Sequence, residues 1–243
     1  MKQVRVGPPK SRLARVLNRI GMPLGILPFP FAYEAPSEAS GRERMFEGIY
    51  KNNSWGSDES PSGTGSELLR TERYRRALLD FLREQKIGSM FDAPCGDLNW
   101  MRLVLDDYPL AYLGGDIADS ALALARENRP GVDVRKFDIC RDPFPDCELW
   151  HCRDALFHLS FADAKLALRN AVRSKARLAL LTTHRSHWLR NLDVATGGWR
   201  HLDLERPPFS LPEPIAYLPD TGPREFPRFV GVWPMSALRA AFD

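Results

Sequence analysis

The chain is short of cysteine, of net charge and of uninterrupted apolar sequence, and each shortage closes off a class of function. Its four cysteines, Cys95, Cys140, Cys147 and Cys152, all stand mid-chain without a C-x-x-C pair, so neither a zinc site nor a disulfide framework is expected, and no metal is assigned. They read as buried, reduced thiols at strand positions, which points to a cytoplasmic protein. The apolar stretch Met22 to Phe31 is broken by Pro23, Gly25, Pro28 and Pro30, and no spanning helix can run through it. Nor does it suit a secretory signal, because the basic region ahead of it is long and its core is punctuated. A net charge of only +3 lacks the basic excess that advertises binding to a phosphate backbone, so nucleic acid is not the expected partner. No repeat period is present, which excludes a solenoid or array.

What is present is the composition of an ordinary folded globular protein: 243 residues, 44% hydrophobic and 27% charged, enough to bury a real core. Charge is unevenly spread, with Lys2, Arg5, Lys10, Arg12, Arg15 and Arg19 all preceding the first acidic residue, Glu34. Leu13, Val16, Leu17 and Ile20 fall on one helical face among them. A basic amphipathic helix of this kind suits a packed extension, a partner or a membrane surface. Residues 1–45 are read as a basic, Pro-rich extension, and 46–243 as a single domain.

Within that domain a helix is predicted over Glu67 to Lys86, with Ser66 as N-cap, from the spacing of Leu68, Leu69, Tyr74, Leu78, Leu79 and Leu82. Short apolar runs then alternate with helical patterns. Strands are expected at Ser89 to Ala93, Tyr112 to Ile117, Val132 to Phe137, Glu148 to Cys152 and Arg177 to Thr182. Helices are expected at Leu98 to Leu105, Ser120 to Glu127 and Asp163 to Ser174, and a closing antiparallel pair around Phe229 to Trp233 with a last helix from Met235. This order predicts an α/β, doubly wound, mostly parallel seven-stranded sheet of Rossmann-like type, with an amino-terminal lead-in and a carboxyl-terminal insertion.

The sharpest segment is Phe91-Asp92-Ala93-Pro94-Cys95-Gly96-Asp97-Leu98-Asn99-Trp100, a strand ending in a tight turn that opens a helix. In a doubly wound sheet, ligands sit at the carboxyl ends of strands beside exposed helix N–H groups. About twenty residues on, Asp116 stands at the end of the next strand, where a carboxylate can accept from both hydroxyls of a ribose. Gly96 taken alone would serve equally as a tight turn, and Asp138 as a turn cap.

These segments resemble the class I S-adenosylmethionine-dependent methyltransferases, whose first motif is an acid followed by a Gly-rich turn. Here Pro94 holds the first glycine position and Leu98 the third. A narrower resemblance is to a subset carrying W-G-S, S-x-S-G-x-G-S, D-x-P-C-G-D-x-x-W and R-D-x-x-x-H-L, which are Trp55 to Ser57, Ser60 to Ser66, Asp92 to Trp100, and Arg153 to Leu159. It covers roughly Phe46 to Phe209. The resemblance implies S-adenosylmethionine as cofactor and S-adenosylhomocysteine as product, and O-methylation of a sugar, glycan or small metabolite. The cofactor cradle it implies comprises Ser66, Asp92, Pro94, Cys95, Gly96, Trp100, Asp116, Ile117, Phe137, Asp138 and Arg153.

Methylating a hydroxyl requires its oxygen to be aligned with the sulfonium methyl and its proton to be removed. His158 is the candidate base, against the plainer role of a capping or core histidine. Asp154, four residues earlier, orients that imidazole, binds the acceptor hydroxyl or is itself the base. Arg153 reads equally as a carboxylate's partner or a strand end. The loop Trp55 to Ser66 is expected as a lid or a plain surface loop, with Trp55, Ser60 and Ser62 towards the acceptor. After the fifth strand His184, His187, Asn191, Asp193, Arg200 and Asp203 form a polar stretch, from which His184, Asn191 and Arg200 are candidate acceptor contacts. A magnesium site between Asp154 and Asp193 is conceivable on donor chemistry, though no spacing demands it. Two rival functions share the sequence pattern: an NAD(P)-dependent oxidoreductase, whose fingerprint prefers three glycines, and a non-catalytic cofactor-binding protein. The oligomeric state is open.

Overall fold

The computed structural model describes residues 7–36, 41–186, 189–222 and 225–242. Lys2, Arg5 and His187 of the preceding section lie outside them.

Short, nearly continuous apolar runs build a sheet that is buried on both sides. Its strands are β2 (Ser89–Asp92), β3 (Ala111–Asp116), β4 (Val134–Lys136), β5 (Leu149–Cys152), β6 (Leu178–His184), β8 (Ala216–Pro219) and β9 (Arg228–Pro234). A separate two-stranded pair is formed by β1 (Ala32–Tyr33) and β7 (Trp199–Arg200). Met90, Leu149, Leu178, Leu180, Val230 and Val232 point to one side. There they meet α3 (Leu68–Glu84), α4 (Met101–Asp107) and α5 (Asp119–Asn128) through Tyr74, Leu78, Met101, Val104 and Leu122. Phe91, Trp150, Ala179, Leu181 and Trp233 point to the other side, against α6 (Phe161–Ala171) and α7 (Met235–Phe242) through Ala164, Leu168 and Leu238.

The strand order is β4-β3-β2-β5-β6-β9-β8. All neighbours from β4 to β6 are parallel, while β9 runs antiparallel to both β6 and β8. This is the seven-stranded, doubly wound sheet predicted from the sequence, closed by the expected antiparallel pair. The order reverses between β2 and β5, which opens a crevice at the carboxyl end of β2.

Local chemistry moves several expected boundaries. Leu98 has φ +57°, outside the helical region, so α4 begins at Met101 rather than Leu98. Ser66 is not an N-cap: it ends a 3-10 turn over Thr64–Ser66, and the extended Glu67 precedes α3 without a side-chain cap. Helix α2 (Arg42–Lys51) runs across the expected division at residue 45. The amino-terminal segment is also tied to the insertion, because β1 pairs with β7 through Ala32 opposite Arg200 and Tyr33 opposite Trp199. A helix α1 (Arg12–Gly21) lies ahead of it, capped by the Ser11 hydroxyl on the Ala14 amide. Among the described residues, no helix is long and apolar enough to cross a membrane.

Candidate active site

The turn after β2 is held open by a carboxylate at the end of the neighbouring strand. Asp116 accepts from the Gly96 amide at 3.0 Å through Oδ2 and from the Ala118 amide at 2.9 Å through Oδ1. Burial pushes its carboxyl up to about 6 despite those donors. Gly96 sits at φ +62°, and a Cβ there would come within 2.7 Å of the Ser62 hydroxyl, so the turn needs glycine for both conformation and space. Asp92 is engaged from two sides, by the Tyr112 hydroxyl at 2.8 Å and by His151 Nδ1 at 2.6 Å. The other ring nitrogen of His151 is 2.8 Å from the Tyr74 hydroxyl. All four side chains of this chain are at least partly buried, so it braces the end of β2 against β3, β5 and α3.

The loop of residues 55–66 is stapled to the same turn. Ser60 and Ser62 donate to the two oxygens of Asp97 at 2.7 and 2.9 Å, and the Asn99 amide adds a third bond at 3.2 Å. Ser62 lies 2.9 Å from the Tyr50 hydroxyl of α2. Asn99 donates to the Ser66 carbonyl and to Glu59. The S-x-S spacing thus has a mechanical reason: alternate hydroxyls reach alternate oxygens of one carboxylate. Ser60 is fully buried in this staple, which corrects its assignment as an acceptor contact.

Between the turn, the loop and α2 lies a cleft of about 890 Å³, including its open mouth. Every residue of the expected cofactor cradle lines it: Ser66, Asp92, Pro94, Cys95, Gly96, Trp100, Asp116, Ile117, Phe137, Asp138 and Arg153. One wall is apolar, from Ile117, Phe137 and Ile139. Asp138 is neutralised by Arg42, whose guanidinium also reaches Asp163 at 2.7 Å. Arg42, Phe46 and Tyr50 bring α2 into the wall, so the site draws on residues on both sides of position 45.

At the far end, two guanidiniums and two carboxylates interlock. Arg153 grips Asp220 with Nε at 3.0 Å and a terminal nitrogen at 2.9 Å, and also donates to the Gly65 carbonyl. Arg228 reaches Asp154 at 3.0 Å, and Arg153 approaches it at 3.3 Å. Burial alone would raise the Asp154 carboxyl, but Arg153 and Arg228 outweigh it and hold the group below the usual carboxylate range. Asp220, more deeply buried beside the same cations and Asp154, is pushed upward. An anion so firmly paired is a poor proton acceptor, which favours Asp154 as an electrostatic and orienting group.

His158 lies in a 3-10 turn, Leu156–His158, rather than one α-helical face with Asp154, whose φ is +53°. Both nevertheless line the cleft. His158 Nδ1 is 2.8 Å from the Gly198 carbonyl. A carbonyl only accepts, so Nδ1 carries the proton and Nε2 of the neutral ring is left as an acceptor. Burial, the largest influence, lowers its pKa to about 4. The Trp55 ring covers the imidazole at a centroid separation of 4.8 Å.

Trp55, Ser62, Asp154 and His158 also line a second, larger cavity of about 1560 Å³ with its open mouth. Its other walls come from Tyr33 and Glu34 of the lead-in, His184, which closes β6 rather than following it, Trp199 and His201 of the insertion, and Phe226. His184 therefore faces this second space. Asn191 does not: its amide donates to the carbonyls of Asp203 and Pro207 and fastens the insertion to itself. Arg200 is fully buried, donating to the carbonyls of Phe157 and Leu159, with burial lowering its pKa to about 10. It supports the turn that carries His158 and lines neither cavity. Asp193 accepts from the Phe161 and Val194 amides while Asp154 pairs with arginines. Among the described residues, no group of three or more His, Cys, Asp or Glu is placed to hold a metal.

Residues that sequence reasoning did not assign are Arg42, Tyr50, Tyr74, His151, Asp220 and Arg228. Asp97 was within a recognised motif but its role was not visible. His151, between apolar strand residues in Leu149-Trp150-His151-Cys152, carried a signal, since a buried histidine needs polar partners. Asp220 and Arg228 carried none, because their partner Arg153 is distant in sequence.

No family model and no curated protein matches the chain. Among solved structures, magnesium protoporphyrin IX methyltransferase (ChlM) from Synechocystis PCC 6803, with S-adenosylmethionine bound, aligns over 81% of this chain and 98% of its own at 11% identity and a TM-score of 0.57. PigF with S-adenosylhomocysteine aligns over 81% of this chain and 63% of its own, at 18% identity and a TM-score of 0.58. The mitomycin 7-O-methyltransferase MmcR aligns over 68% and 53%, at 18% identity and 0.51. What these likenesses establish is a shared Rossmann-like α/β fold.

Proposed function

We propose that this chain is an S-adenosylmethionine-dependent methyltransferase that methylates a hydroxyl of a sugar, glycan or small metabolite. The observation that carries the reading is the wall common to the two cavities, where Asp154 and His158 face the cleft beside the Gly96 turn on one side and an aromatic-lined chamber on the other. The donor set of the cleft fits the cofactor. Asp116 offers a carboxylate to a ribose diol, Ile117, Phe137 and Ile139 offer apolar surface to a purine, and Trp100 lines the same cleft. The solved neighbours that hold this cofactor or its product share the sheet.

When bound, S-adenosylmethionine supplies an electrophilic methyl group on a sulfonium. The protein's own contributions are positional and electrostatic. His158 Nε2, left as an acceptor by the Gly198 carbonyl, is placed to take the acceptor's hydroxyl proton; burial makes it a weak base, so it acts through position and through being neutral rather than through basicity. Asp154 remains anionic between Arg153 and Arg228 and orients the acceptor or the passing positive charge. Trp55 excludes water from the imidazole. In the second chamber the faces of Tyr33, Trp55 and Trp199 beside Glu34 and His184 suit a ligand with apolar C–H faces and a hydroxylated rim, as a sugar has.

The test is turnover with methyl-labelled S-adenosylmethionine and a panel of sugars, phenols and amines, read by mass. Formation of S-adenosylhomocysteine that depends on a hydroxylated acceptor, with one methyl added to it, is expected. Methylation of amines alone would overturn O-methylation.

A further inference from the structure

We infer that α1 seats this protein on an anionic lipid surface. The helix is turned the wrong way for a packing element. At 100° per residue its side chains divide into three sectors. Ala14, Asn18 and Gly21 are buried against the protein. Leu13 and Ile20 are 67% and 64% exposed, Val16 and Leu17 lie beside them at 45% and 40%, and Leu24 in the following turn is 73% exposed. Arg12, Arg15 and Arg19, all exposed, make the third sector, along one edge of the apolar stripe.

This roll is fixed rather than incidental. Asn18 uses its whole amide on one backbone residue, donating to the Phe29 carbonyl at 2.9 Å and accepting from the Phe29 amide at 3.1 Å. A Cβ on Gly21 would come within 2.6 Å of the Ile26 carbonyl oxygen, so the helix is drawn in on its small residues and no other face fits there. Five large apolar side chains held outward in one stripe form a contact surface, not scattered exposure.

Charge selects the occupant. Lys2, Arg5, Lys10, Arg12, Arg15 and Arg19 precede the first acidic residue, Glu34, so the stripe lies in a purely cationic stretch of sequence. Apolar side chains flanked by guanidiniums match the boundary between acyl chains and anionic headgroups. Met22, directly after α1, lines the second cavity. The inference does not depend on the proposed methyl transfer.

The experiment is sedimentation of the full chain with vesicles of phosphatidylcholine alone and of phosphatidylcholine with phosphatidylglycerol, at low and high salt. Binding to the anionic vesicles that weakens at high salt is expected. The double variant Leu17→Gln/Ile20→Gln should reduce it about tenfold or more, and Arg12→Gln/Arg15→Gln/Arg19→Gln should remove the preference for anionic lipid. These exposed positions leave thermal unfolding unchanged, which separates lost binding from lost folding. Equal sedimentation of the parent and the Leu17→Gln/Ile20→Gln variant, or none of the parent, would overturn the inference. So would a dimer in lipid-free sedimentation velocity that the same variant converts to monomer, since the stripe would then belong to a second copy.

Discussion

Replacing Asp97 with alanine tests whether the loop of residues 55–66 is part of the site or merely passes over it. Its carboxylate accepts from Ser60, Ser62 and the Asn99 amide at 2.7, 2.9 and 3.2 Å. Hydrogen bonds to a charged group are worth about 1.5–3 kcal/mol each. They act as a unit, and removing the carboxylate also removes the cost of burying it, so a loss of about 3–5 kcal/mol is expected for breaking the network. For a chain of this size that corresponds to a fall in melting temperature of roughly 6–20 °C. Asp97→Asn keeps one acceptor oxygen and should cost about half as much. Because Trp55 covers His158 from the same loop, Asp97→Ala should also speed proteolytic cleavage within residues 55–66 and weaken ligand binding in the cleft. The assay is thermal unfolding beside limited proteolysis. A melting temperature within about 2–4 °C of the parent, with unchanged cleavage, would refute the staple.

Other consequences are as direct. Asp116→Ala should weaken S-adenosylmethionine binding at least tenfold by calorimetry while leaving Asp97's bonds intact. In the parent, hydroxyl donors need the ionised carboxylate, and its pKa is raised from 3.8 to about 6, so affinity should fall as pH drops through 6, with proton release on binding below that value. For stability the sign is opposite: the raised pKa favours the folded state at low pH, and that contribution is lost as pH rises through about 6. His158→Gln should spare cofactor affinity and slow transfer about 10²–10⁴-fold; unchanged turnover would remove it as the base. With His158 lowered to about 4, its folded form is neutral at pH 6, so rate profiles should lack a limb near 6.5. Trp55→Ala should restore that limb by letting water reach the ring.

How much was legible follows from how local the determinants are. The short apolar runs of β2, β5 and β6 and the turn at Gly96 are local patterns, so the sheet and the cofactor side of the cleft could be read from the sequence. The pairing of Asp116 with Gly96 follows once β2 and β3 are neighbours. The Arg153–Asp220–Arg228–Asp154 cluster joins elements far apart in the chain, and nothing near Arg153 announces Asp220. Arg200 and Asn191 were misread for a related reason. Polar residues in an insertion look like ligand contacts, yet a long irregular segment must satisfy its own carbonyls first, and these two side chains do that. Ser60 was misread because an exposed-looking serine loop is in fact folded onto a buried carboxylate. The boundary at residue 45 placed Arg42 in an extension, where only its contact with Asp138 shows that it belongs to the cleft.

The central claim is tested most directly by calorimetric titration of the protein with S-adenosylmethionine, S-adenosylhomocysteine and NADH. The account predicts micromolar binding of the first two, one per chain, and none of NADH. Binding of NADH alone, or of none of the three, would contradict it.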